Sequence, residues 1–147
     1  MGYIYSYNEN YMNFSKREHR KKHAKLDQHF ATIQTLKCGS IKVMLSKVVV
    51  QEIGLNEWAI VGYDKENKTL YVQPTLKSNG ALHVCLSGVT RDEYSRQIID
   101  LTKFFEFCNE TEIKKGRYKA NIALDKSHVI IDFNCPVQGR HERKKDE

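Results

Sequence analysis

The stretch WAIVGYDKENKTLYVQP, residues 58–74, decides the fold. Two runs rich in β-branched and aromatic side chains, Trp58–Tyr63 and Thr69–Gln73, flank a polar turn over Asp64–Lys68. Pro74 has no backbone N–H to donate and ends the second run, so the stretch predicts an antiparallel hairpin. Upstream, Phe30–Leu45 alternates apolar and polar residues on both sides of Cys38-Gly39-Ser40, which predicts two short strands around a turn. Ser46 has the chemistry of a helix N-cap. The short helix SKVVVQEI that it opens stops at Gly54, a residue that accepts left-handed backbone.

Downstream, Ala81–Leu86 predicts one strand after the turn Ser78-Asn79-Gly80. Thr90 and Glu93 have capping-box spacing, with Val89 and Tyr94 placed to staple across them. Tyr94, Ile98, Leu101, Phe105 and Cys108 then recur at helical spacing, which predicts a long amphipathic helix. Arg117–Leu124 and Val129–Phe133 predict a last hairpin around Asp125-Lys126-Ser127, with Tyr118, Ala120, Ile122 and Leu124 on its buried face. The expected class is α+β: mostly antiparallel strands, one long amphipathic helix and a basic N-terminal helix.

The chain divides into a basic, aromatic-rich arm and helix over 1–30, one α+β domain over 31–139, and a charged tail over 140–147. The tail has no apolar group and is expected to be disordered. With 147 residues, 40% hydrophobic and 29% charged, the composition is that of a globular protein with one modest core. No apolar run approaches the roughly 20 residues of a membrane span, so no membrane partner is expected. The N-terminus reads as lacking a secretory signal, which leaves the cytoplasm as the expected location. Cys38, Cys85, Cys108 and Cys135 form no C-x-x-C pair, and buried free thiols are expected.

The net charge of +6 is uneven along the chain. Residues 1–30 hold six basic groups against three acidic ones, whereas the much longer 31–139 holds 14 against 12. Lys16, Arg17, Arg20, Lys21, Lys22 and Lys25 fall within ten residues, after a Ser15–Glu18 pair with capping-box spacing. On a helix they cover most of the circumference and leave His19, His23, Leu26 and Phe30 as the remaining stripe. Like charges four apart oppose such a helix by a few tenths of a kcal/mol each, so a polyanion should favour its folding. Tyr7 and Tyr11, with Tyr3, Tyr5 and Phe14, offer faces on which unpaired bases can stack. The alternative is a solvated basic helix, with the tyrosines docked on a sheet edge.

No enzyme signature accompanies this arm. There is no P-loop, no G-x-G-x-x-G after a strand, no G-x-S-x-G and no acidic cluster. His19 and His23 lack a third metal ligand and stand among six cations, so no metal and no cofactor is expected. Metal-independent RNA cleavage by this pair is the remaining catalytic option. His83 and Cys85 share one face of a predicted strand, where packing is the simpler reading.

Two segments resemble known families. IKVMLSKVVVQEIGLNEWAIVGYDKENKTLYVQP resembles the swapped-hairpin DNA-binding element of AbrB-like regulators: a strand, a Ser-Lys helix opening, Ile53-Gly54-Leu55, then a hairpin ending at Pro74. Asn56-Glu57-Trp58 stands where those domains have a Pro-Gly-Asp-like turn. This resemblance implies a homodimer that reads duplex DNA through 41–74, with Lys42 and Lys47 in contact. The front segment is similar to the basic N-terminal region of phage anti-CRISPR inhibitors of Cas9. Met1 with Tyr3, Tyr7-Asn8, Asn13-Phe14-Ser15 and the stretch from Arg20-Lys21-Lys22 to Leu26 and Phe30 carry the likeness. It implies a non-enzymatic phage or mobile-element protein in the host-cell cytoplasm. Its partner would be a Cas9-type effector or its guide RNA, gripped by Lys16, Arg17, Arg20, Lys21, Lys22, Lys25, Tyr7 and Tyr11.

Overall fold

Side chains that alternate between core and surface build most of the molecule. The computed structural model describes residues 4–7, 29–78, 80–86 and 96–137. In β2 (Phe30–Thr35) Ala31 and Ile33 point inward; in β3 (Ile41–Leu45) Val43 and Leu45 do. The two strands pair antiparallel, with Ile33 opposite Val43. α1 (Lys47–Ile53) buries Val49, Val50 and Ile53 and ends at Gly54. With φ of 71°, Gly54 takes the left-handed conformation and returns its N–H to the Val50 carbonyl. Ser46 holds the N-cap position and its carbonyl accepts the Val50 N–H (3.1 Å), but its side chain makes no cap bond; the hydroxyl lies 3.4 Å from the Phe30 N–H. β4 (Trp58–Asp64) and β5 (Thr69–Thr75) form the expected hairpin, and Pro74 lies within β5 opposite Ala59.

The remaining described strands are β1 (Ile4–Ser6), β6 (Leu82–His83), β7 (Cys85–Leu86), β8 (Arg96–Asp100), β9 (Gly116–Ile122) and β10 (Val129–Pro136). They join one antiparallel sheet in the order β1-β4-β5-β10-β9-β2-β3-β8-β7, curled into a half-barrel. β6 pairs with β4, while β7 pairs with β8 at the opposite end. The short run Leu82–Leu86 therefore ties the two ends of the sheet together. Val84 between them points into the core, its N–H donating to the Glu57 carbonyl (2.9 Å) and its carbonyl accepting from Arg96 Nη1 (2.8 Å).

The expected α+β class is overturned by this sheet, which dominates the described residues and leaves only two short helices. The long helix predicted from Tyr94 to Cys108 is instead β8 followed by α2 (Thr102–Phe107). Gln97 and Ile99 are buried while Ile98 is only partly so, a period of two that matches pairing with β3. Asp100 breaks any helix here, because its carboxylate accepts both the Thr102 N–H (3.0 Å) and the Thr102 hydroxyl (2.7 Å). Leu101, Phe105 and Cys108 are buried as expected, on a strand end and one helical turn rather than one helical face. Residues 16–28 of the expected basic N-terminal helix and both capping boxes lie outside the described residues, and Phe30, the expected last residue of that helix, opens β2 instead.

Smaller corrections follow from the same geometry. All four cysteines are free, but only Cys108 is buried. Leu124, expected inside, sits in the β9–β10 turn with 61% of its surface exposed. Residues 4–6 of the expected arm belong to the sheet, since β1 pairs with β4 from Ile4–Asp64 to Ser6–Gly62.

Candidate nucleic-acid interface

Strand alternation sets the chemistry of the sheet's outer surface. Tyr118 and Ala120 of β9 point inward, so Arg117 and Lys119 project from the opposite face. The same parity places Phe30 and Thr32 of β2 beside them, with Phe30 opposite Lys119 and Thr32 opposite Arg117. The Arg117 guanidinium lies over the Phe30 ring, 4.1 Å from its centroid. Such stacking holds the planar guanidinium in one orientation and leaves its N–H edge for a phosphate. One strand further on, Lys42 of β3 lies opposite Gln34, about 10 Å from the Arg117 row at the usual strand spacing.

Lys114 and Lys115 immediately precede β9, so four cations occur within the six residues 114–119 with no acidic residue among them. Sequence reading missed this run because the charge of 31–139 was averaged to near neutrality. The signal was present in KKGRYK itself. On the far side of the patch Asp100 faces Lys42 across the β3–β8 pair. Burial raises the Asp100 pKa, yet the two Thr102 hydrogen bonds, with Lys42 and Lys103, hold it below its ordinary value. The carboxylate therefore stays ionised and limits the basic surface on that edge.

The arm's nominated residues divide sharply. Lys16, Arg17, Arg20, Lys21, Lys22, Lys25 and Tyr11 lie outside the described residues, as do His19 and His23. Tyr7 is described, and its ring packs on α2 with centroids 5.2 Å from Phe104 and 5.1 Å from Phe107. Burial, followed by the neighbouring Cys108 and Glu106, raises its pKa. It also lines a pocket of about 520 Å³ together with Ser40, Leu82, Asp100, Thr102, Lys103 and Phe104. Tyr5 reaches Phe107 edge-on at 6.3 Å. Both tyrosines are thus docked on the body, while the residues just beyond the described gap enter it at a defined place: the His29 carbonyl accepts the Ala120 N–H at 3.1 Å. The root of the arm therefore runs directly beside β9.

Among the described residues no group of three His, Cys, Asp or Glu side chains could hold a metal. His128 is buried in the β9–β10 connection with Nδ1 2.9 Å from the Ser127 hydroxyl. The central segment folds as strand, helix and hairpin, the element order implied by the AbrB-like resemblance. Its strands are already paired within the chain: β3 lies between β2 and β8, and β5 between β4 and β10. An intertwined dimer would have to replace those pairs. No family model, curated protein or solved structure matches the chain.

Proposed function

We propose that this protein is a non-enzymatic nucleic-acid-binding protein, and that its target is the guide RNA of a Cas9-type ribonucleoprotein, which it inhibits. The observation that carries nucleic-acid binding is the junction of arm and sheet. Six cations at 16–25 lead into β2 at Phe30, and Phe30 lies beneath Arg117 and opposite Lys119. Two basic segments far apart in sequence share one root, which suits a ligand that carries many phosphates. Lysine and arginine contacts of this kind release condensed counterions and give affinity without base specificity. Unpaired bases can add stacking on aromatic side chains of the arm such as Tyr11.

The guide RNA as the particular target rests on the likeness of the front segment to anti-CRISPR proteins. Cas9-type effectors hold their heteroduplex in a positively charged channel, so a basic inhibitor should meet the RNA rather than the channel wall. Target cleavage by a Cas9–guide complex tests this. Full-length protein should block cleavage, and the double substitution Arg117→Ala with Lys119→Ala should weaken inhibition by about tenfold, the loss of roughly 1.4 kcal/mol. Undiminished cleavage at saturating protein would remove the Cas9 reading; undiminished inhibition by the double variant would remove β9 from the interface.

A further inference from the structure

On the outer surface of the Leu82–Leu86 bridge two of its own side chains meet a third from the residue before β4. Val84 points into the core, so His83 and Cys85 on either side of it both face outward and are exposed. Cys85 Sγ lies 3.8 Å from His83 Nδ1. The other ring nitrogen, Nε2, lies 3.7 Å from Glu57 Oε2. Trp58, opposite His83 in the β4–β6 pair, packs against the imidazole with centroids 5.1 Å apart. The Lys77 ammonium in turn sits 5.5 Å from the Trp58 ring centroid.

This geometry is a relay rather than a chelate. Thiol and carboxylate engage opposite nitrogens, so the imidazole stands between them and the three cannot converge on one ion. Nδ1 is placed to take the thiol proton, and the positive charge that forms on the ring is met by the Glu57 carboxylate at Nε2. The thiolate is the reactive form of cysteine, and a neighbouring imidazolium favours it. Neither of the other exposed thiols has an imidazole beside it: the Ser40 hydroxyl, 3.3 Å from Cys38 Sγ, holds that thiol's pKa below its ordinary value, while burial and an Asp132 carboxylate oxygen 3.5 Å away raise that of Cys135.

We propose that Cys85 is a thiol-modification site that takes low-molecular-weight disulfides, with His83 as its base and Glu57 as a positioning residue. The Cys85 proton passes to His83 Nδ1, and the thiolate attacks one sulfur of the disulfide. The new Cys85–sulfur bond forms as the old sulfur–sulfur bond breaks, and the departing thiolate takes the proton from His83 to leave as a thiol. The small disulfide is itself the oxidant, so no other reactant is needed. Because Cys85 pairs with Ile98 where the sheet's ends meet, the adduct sits on the seam of the half-barrel.

Glutathione disulfide is the probe, and mass spectrometry that resolves each cysteine reads the rate of adduct formation from about pH 5 to pH 9. In the full-length protein the Cys85 rate at about pH 6 should stay within a few-fold of its rate at about pH 8. His83→Ala should slow Cys85 about tenfold at pH 7, towards the rate of an unassisted thiol, and leave Cys38 unchanged. Glu57→Gln should slow Cys85 by a smaller factor. Buried Cys108 reports on the fold, and if it becomes modified in a variant, the wild-type pH profile alone decides. A Cys85 rate that rises with pH as a simple thiol in the wild-type protein, or an intact His83→Ala variant reacting at the wild-type rate, overturns the proposal.

Discussion

Glu110 is a carboxylate with only 3% of its side-chain surface exposed, held by donors from three parts of the chain. The Tyr63 hydroxyl (2.9 Å) and the Lys68 ammonium (3.0 Å) both donate to Oε1, and the Glu112 N–H (3.0 Å) donates to Oε2. Burial pushes its pKa up, but these donors outweigh burial and hold it below the ordinary 4.5. A depressed folded-state pKa means stability that is present above pH 4.5 and lost as pH falls through the folded value. Glu110→Gln should lower the unfolding free energy by about 2 kcal/mol at pH 7, as loss of a charged partner in a buried network does. Urea unfolding at pH 7 and pH 3 checks this: the gap between variant and wild type should narrow in acid. A gap independent of pH would show that the carboxylate's charge is not its source. Nothing near Glu110 in the sequence marks it as buried, because Tyr63 and Lys68 lie 47 and 42 residues away. Local patterns report on neighbours along the chain, and this network has only one such neighbour.

At the level of elements, hairpins were legible wherever pattern and turn chemistry agreed. β4–β5 joins two runs rich in β-branched and aromatic residues across a polar turn, and β9 adds an alternating face before the turn that leads to β10, so strand pattern and turn chemistry reinforce each other. The expected helix from Tyr94 to Cys108 gives way from Arg96 onward: its apolar spacing fits a helix, but its first half is claimed by an open edge of β3. Tertiary pairing decides such a conflict, and Asp100 supplies the local break. Ala81–Leu86 reads as one strand; its division between β6 and β7 follows from the curl of the sheet, which no local pattern encodes. Val84 anchors that division. Val84→Ala should cost about 2 kcal/mol for a fully buried side chain cut back in a packed core. Amide exchange across Leu82–Leu86 should quicken in this variant more than exchange in the β2–β3 pair. Equal quickening in both places would mean that the bridge does not hold the ends of the sheet independently.

For the whole molecule, charge along the chain and charge in space tell different stories. Along the chain the basic residues concentrate at 16–25, and the body is almost neutral. In space Arg117 and Lys119 stand at the root of the arm, while Asp64 and Asp132 lie together on the outer face across β4, β5 and β10. The arm's composition was readable from the sequence, but its companion strand was not, because only the β2–β9 pairing brings Arg117 over Phe30. Binding of labelled single-stranded RNA, followed by fluorescence anisotropy from about 50 to about 200 mM salt, tests the joint interface most directly. Each phosphate contact contributes roughly 0.7 to the slope of log affinity against log salt for single strands. Arg117→Ala with Lys119→Ala should therefore flatten the slope by about 1.4, and Arg20→Gln with Lys21→Gln and Lys22→Gln by about 2. An unchanged slope and affinity in the Arg117 and Lys119 variant, or wild-type binding indifferent to salt, would contradict the account.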